Sequence, residues 1–185
     1  MTAPRRSDAE QNRTRILAAA STALSASSDA TLNSIAKLAG VGQGTLYRHF
    51  PTREALLTAV YRQDVRGLIE LAPALLADHP PVVALRLWFD RLASYGRIKH
   101  GAAAAVEAVT RADLSSEYYE PVAGAITTLL AAGQQTGELR PDVDADEVLL
   151  LVGFLWRLDN ADWETRARHL LDILMDGLRA QPQPR

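Results

Sequence analysis

The chain has 185 residues, 48% of them hydrophobic and 23% charged, which is enough apolar material for a sizeable core in a soluble globular protein. It contains no cysteine, which excludes disulfides and thiolate metal sites and fits a reducing cytosol. The formal net charge of −2 argues against a uniformly basic nucleic-acid binder.

That charge is unevenly spread. Residues 1–60 hold seven basic side chains (Arg5, Arg6, Arg13, Arg15, Lys37, Arg48, Arg53) against four acidic ones, a balance of +3, and the remainder carries −5. A basic head on an acidic body is the distribution expected when one end meets phosphates.

In chain order, Ser7-Asp-Ala-Glu10 reads as a capping box opening a helix whose Ile16, Ala20 and Leu24 share a face. Leu32, Ile35, Ala36 and Ala39 then fall at i, i+3, i+4 and i+7, one apolar helical stripe. Gly40 interrupts, and a second short run ends in Leu46 and Phe50, the i, i+4 pair expected to face a core. Two short helices around a glycine turn make a helix-turn-helix over residues 31–50, a motif whose second helix can lie in the DNA major groove. Gln43, Thr45, Tyr47, Arg48 and His49 supply hydrogen-bonding groups for phosphates and base edges.

Thr52 can cap the next helix, which carries Leu56, Leu57, Val60 and Tyr61 and extends to about residue 77, with Pro73 suggesting a kink or an early stop. Pro80-Pro81 breaks the chain. Helices follow over 82–100, 101–111 and 117–135, with Pro121 placed in the first turn of the last. Asp144 to Glu147 signals another helix start, and the run to Trp156 is apolar nearly all round. The last helix spans 162–179, and its Gln/Pro tail is expected to be disordered.

No alternating strand pattern appears. The fold class is therefore all-α: a three-helix head plus a larger helical bundle, about nine helices altogether. Residues 8–68 are expected to form the DNA-binding domain and 79–180 a second, larger helical domain. No run of about 18 apolar residues offers a membrane span, and no signal-peptide core precedes the head, so the expected location is cytoplasmic.

The string AGVGQGTLYRHFPTREALL, Ala39 to Leu57, resembles the recognition segment of the tetracycline-repressor (TetR) family, and RTRILAAA, Arg13 to Ala20, resembles that family's first helix. The resemblance covers roughly the first third of the chain. It implies an all-helical homodimer that binds double-stranded operator DNA through its head. It also implies a divergent body that dimerises and often takes a small molecule that releases the DNA.

Carried over residue by residue, Gln43, Gly44, Thr45, Tyr47 and His49 match family positions for DNA contact. Tyr47 would bond a phosphate, whereas Gln43, Thr45 and Arg48 would read bases. Gly44 would permit close approach. Thr31 would cap the first motif helix and reach the DNA backbone with Asn33 beside it. Arg53 stands where a lysine is common and would neutralise a phosphate. The pattern departs in the turn 26–30, which lacks the usual glycine and is about two residues short, and at Leu24, where phenylalanine is common.

In the body, Trp88, Leu92, Tyr95, Lys99, Tyr118, Tyr119 and Phe154 form an aromatic and polar set that could line an effector pocket or simply be core. Leu149, Val152, Trp156, Leu170, Leu174 and Leu178 are the candidate dimer interface, the alternative being burial within one subunit. The four histidines are isolated, and neither a metal cluster, a phosphate-binding glycine loop nor a nucleophile elbow is present. No cofactor and no catalysis are expected. The leading reading is a transcriptional repressor released by a small molecule. The rivals are a helical binding or dimerisation module without operator-specific DNA binding, and a regulator whose body serves only dimerisation.

Overall fold

In the computed structural model the described residues are 4–27, 30–156, 158 and 162–180, with backbone alone described at 4–7, 95–116 and 156. Seven α-helices account for nearly all of them: α1 Pro4–Ala26, α2 Leu32–Leu38, α3 Gln43–His49, α4 Arg53–Asp78, α5 Pro81–Gln135, α6 Ala145–Val152 and α7 Trp163–Leu178. A 3-10 turn, Gly153–Trp156, extends α6. The all-α expectation holds.

Three helix boundaries differ from the sequence reading. α1 opens at Pro4, so Ser7 lies inside the helix instead of capping it; proline suits a first helical turn, where its missing N–H has no acceptor to serve. α4 passes through Pro73 to Asp78. The segment read as three helices is one, α5, of 55 residues, opened by Pro81. Pro121 therefore sits in a helix interior and not in a first turn, leaving one i→i−4 hydrogen bond unmade. This fusion is why the described residues hold seven α-helices and not about nine. The Gln/Pro tail beyond residue 180 lies outside the described residues.

The chain divides into two compact units, 1–63 with 98–111, and 64–97 with 112–185. Within the first, Ile16, Ala20 and Leu24 of α1 pack with Ile35, Ala36 and Ala39 of the α2 segment, with Leu46 and Phe50, and with Leu56, Leu57 and Val60 of α4. Every residue of the two stripes read from the motif sequence is buried or packed against this core.

In the second unit the buried residues include Ala84, Leu85, Trp88 and Phe89 of α5, then Ile126 and Leu129 farther along the same helix. Val148 and Val152 of α6 and Ala167, Leu171, Met175 and Leu178 of α7 are buried as well. The ends of α5 and α7 are tied together. Arg140 N donates to Leu178 O at 3.0 Å and Ala180 N to Glu138 O at 2.9 Å. Leu139 packs so tightly on Gly133 that any Cβ there would overlap its side chain. Arg86 bridges Asp90 at 3.1 Å along α5 and also reaches Asp172 of α7. Asp144 and Glu147 complete the capping box expected from the sequence, at 2.9 and 3.0 Å.

Candidate DNA-binding and effector sites

The helix-turn-helix is built from local signals. Thr31 Oγ1 accepts from Ser34 N at 3.1 Å, satisfying one of the orphan donors at the start of α2. Gly40 takes φ +64°, a left-handed conformation that lets Val41 N bond back to Ala36 O at 3.0 Å. The chain then turns directly into α3, with Leu46 and Phe50 anchoring that helix inward at 0% and 2% exposure.

Gln43, Gly44, Tyr47 and Arg48 consequently form one contiguous outward face, at i, i+1, i+4 and i+5. Thr45 and His49 flank it, half-buried. A Cβ on Gly44 would meet nothing within 4 Å, so no packing in the head demands a glycine there. Arg48 folds back along its own helix, donating from Nε to Gly44 O at 3.0 Å and from Nη2 to Thr45 Oγ1 at 3.3 Å. Thr31 and Asn33 are exposed at the start of α2.

Arg53 is half-buried, and its Nη1 donates to the carbonyl of Ala30, immediately before the Thr31 cap. The glycine-less turn after α1 is thus held by a side chain from α4. Sequence reading also missed Arg13, whose guanidinium lies 4.7 Å from the Phe50 ring centroid, clamping α1 over the end of α3.

Residues 16–60 match the family described as bacterial regulatory proteins, tetR family, and residues 80–180 match the SbtR-like transcriptional regulator C-terminal domain. The chain belongs to the TetR family. Similar solved structures include a TetR transcriptional regulator from Streptomyces coelicolor, 40% identical, covering 92% of this chain and 99% of that one with a TM-score of 0.79. A TetR regulator from Mycobacterium vanbaalenii is 32% identical over 95% and 99% of the two chains, with a TM-score of 0.74. A γ-butyrolactone receptor described as ArpA-like is 26% identical over 92% and 90%, with a TM-score of 0.57. No curated protein matches the chain. As a TetR-family member it is a DNA-binding transcription regulator.

The structure sorts the aromatic set of the body. Trp88 is fully buried, and its Nε1 donates to Leu68 O at 2.9 Å, so its polar atom is already used within the core. Leu92 is buried, and Phe154 is half-buried in the 3-10 turn. Tyr119 is exposed on α5, with its hydroxyl donating to Asp146 of α6 at 2.7 Å. Tyr118 is buried beside it in sequence, and its hydroxyl has no hydrogen-bond partner among the described residues. The side chains of Tyr95 and Lys99 lie outside the described residues.

The candidate interface residues separate in the same way. Val152 and Leu178 are each 2% exposed within one chain and pack into its core, so they offer no surface to a partner. Leu149, Leu170 and Leu174 are half-buried, and the Trp156 side chain lies outside the described residues. The outward apolar surface is instead Leu150 and Leu151 on α6 and Ile173 on α7, at 80%, 52% and 56% exposure. Periodicity marked apolar stripes on both helices but could not say which residues the chain itself buries. The signal was present in the unbroken apolar run 148–156, which exceeds what one buried face requires. Among the described residues no group of His, Asp or Glu could hold a metal, and no helix is long and apolar enough to cross a membrane.

Proposed function

We propose that this TetR-family protein is a homodimeric repressor that leaves its operator when a small molecule binds the body. The observation that carries the DNA reading is the outward face of α3: Gln43, Gly44, Tyr47 and Arg48 stand exposed on a helix pinned from behind by Leu46 and Phe50. Gln43, Thr45 and Arg48 read bases. Tyr47 and Arg53 hold phosphates, with Thr31, Asn33 and His49 at the margins of the contact. Arg48 exchanges its bonds to Gly44 O and Thr45 Oγ1 for contacts to a base edge.

Residues 8–68 carry this operator contact, and residues 79–180 carry dimerisation and effector binding. Leu150, Leu151 and Ile173, with the half-buried Leu149, Leu170 and Leu174, form a self-complementary apolar surface that a second copy covers. Dimerisation sets two recognition helices about one DNA turn apart, roughly 34–36 Å, so the operator is a near-palindrome. The likeness to a protein named as a γ-butyrolactone receptor supports a small-molecule effector.

Selection of the full-length protein on randomised double-stranded DNA tests the reading. A palindromic motif bound at nanomolar affinity is expected, and its addition upstream of a reporter should lower transcription. Selection that returns no motif would favour the rival, a helical binding module without operator specificity.

A further inference from the structure

Residues 8–60 contain four arginines, and three of them use their donors within the head. Arg15 donates to Asn12 Oδ1, Arg48 to Gly44 O and Thr45 Oγ1, and Arg53 to Ala30 O. Arg13 differs. It is exposed, and among the described residues its guanidinium meets no hydrogen-bond acceptor and no carboxylate. It is held all the same, with its guanidinium carbon 4.7 Å from the centroid of the Phe50 ring. That attraction draws on the positive charge, so the N–H donors of the fork remain available.

Phe50 fixes where the cation sits. The residue is 2% exposed and ends α3, its N–H donating to Leu46 O at 2.8 Å. The His49 ring lies 6.4 Å from the Phe50 ring, so Arg13 of α1 and His49 of α3 flank the same side chain. Arg48 belongs to that last turn as well. The C-terminal end of a helix carries partial negative charge on its unpaired carbonyls and repels a phosphate. Arg48 and Arg13 place two cations there, the second from a different helix, and reverse that sign. Arg13 stands at the end of α3 and not on its outward face. Base edges lie at the floor of a groove and phosphates along its rims, so a cation at this end suits the backbone.

We propose that Arg13 is a DNA-contact residue that donates to one backbone phosphate in each half-site, beside the contact made by His49. It comes from α1, outside the helix-turn-helix, and Phe50 holds it ready. A planar fork already in place loses less freedom on meeting a phosphate than a side chain recruited from solvent. The contact is blind to base identity: it adds affinity and fixes register without adding sequence preference. The inference rests on the reading of α3 as the recognition helix and adds a residue that the motif does not assign.

The test uses the full-length protein, the palindrome recovered by selection and a mixed-sequence duplex of equal length. Arg13→Met keeps an unbranched stem over Phe50 and removes the charge, whereas Arg13→Lys restores the charge. Because Arg13 is exposed, both variants should fold, which circular dichroism checks. Arg13→Met should bind the palindrome about tenfold more weakly at matched salt, and the slope of log affinity against log salt should fall by about one per half-site. Arg13→Lys should recover the slope, and the mixed duplex should show the same pattern. Neutral methylphosphonates placed at each phosphate in turn locate the contact. One position per half-site should weaken wild type about tenfold while changing Arg13→Met by less than about twofold.

Weaker binding with an unchanged slope would make Arg13 a clamp on α3 alone and overturn the proposal. Methylphosphonate losses identical in the two proteins would do the same. If selection returns no palindrome but Arg13→Met still lowers the slope on the mixed duplex, the phosphate contact stands and the operator reading falls. A palindrome bound equally by wild type and Arg13→Met does the reverse, and a protein that binds neither duplex sinks both.

Discussion

Arg53 donates to the carbonyl of Ala30, so the first residue of α4 closes the turn that leads into α2. The guanidinium has five N–H donors in a planar fork against three on a lysine ammonium, so one can hold the carbonyl while others stay available to a phosphate. The short turn without a glycine thus acquires its closure from elsewhere in the chain.

Two effects should therefore appear on Arg53→Ala. Loss of the half-buried bond to Ala30 should destabilise the chain by about 1 kcal/mol, read by urea denaturation. Every DNA sequence should bind more weakly, and the slope of log affinity against log salt should fall by about one. A lower stability with an unchanged slope would leave the strap in place and remove Arg53 from the phosphate contacts.

Gly44 gives a test in which stability and function move in opposite directions. A Cβ there meets nothing within the protein, so Gly44→Ala should stabilise the head by about 1 kcal/mol through helix propensity. On the proposed reading the same methyl group would face the DNA, and it should weaken operator binding at least tenfold. Thermal melting beside fluorescence anisotropy checks both; improved stability with unaltered affinity would exclude a close approach at this position.

Tyr47 is 46% exposed on the outward face of α3. Replacing it with phenylalanine should leave the circular dichroism spectrum unchanged while costing about 1.5–3 kcal/mol of operator affinity, the value of a charge-assisted hydrogen bond. Equal affinities at matched salt would strike the phenol from the contact list.

Ile173 and Leu178, both on α7, should respond differently to charge. Ile173→Glu places a carboxylate on the outward surface and should yield folded monomers with operator binding weakened by orders of magnitude. Leu178→Glu buries the charge inside its own subunit and should unfold it. Analytical ultracentrifugation with circular dichroism distinguishes these results, and a dimeric Ile173→Glu protein would move the interface off this face.

Burial pushes the Asp64 carboxyl up to about 6, and the nearby Arg91 pulls it only part of the way back. A carboxyl that binds its proton more tightly when folded contributes stability fully below its unfolded pKa near 3.8 and loses it as pH rises through about 6. Asp64→Asn should thus be more stable than wild type at pH 7.5 and less pH-dependent between pH 4 and 6. Urea midpoints across that range measure it; parallel curves for the two proteins would refute the assignment.

The helix-turn-helix was legible in the residues alone because its determinants are local: a 3.6-residue apolar stripe, a glycine able to take positive φ, and a threonine cap lie within twenty residues of one another. The Asp144–Glu147 capping box was legible for the same reason. The continuity of 82–135 was not, since Gly101 and Pro121 read locally as a break and a helix start while α5 runs through both.

Which stripe of a helix faces inward depends on residues distant in the chain. Sequence alone placed Val152 and Leu178 with Leu149 and Leu174, and tertiary packing separated them by burying the first pair in their own subunit. It also sorted Trp88 from Trp163, identical side chains of which, among the described residues, one meets a carbonyl and the other does not. Periodicity records that a face is apolar; only the packing of α5, α6 and α7 decides what covers it.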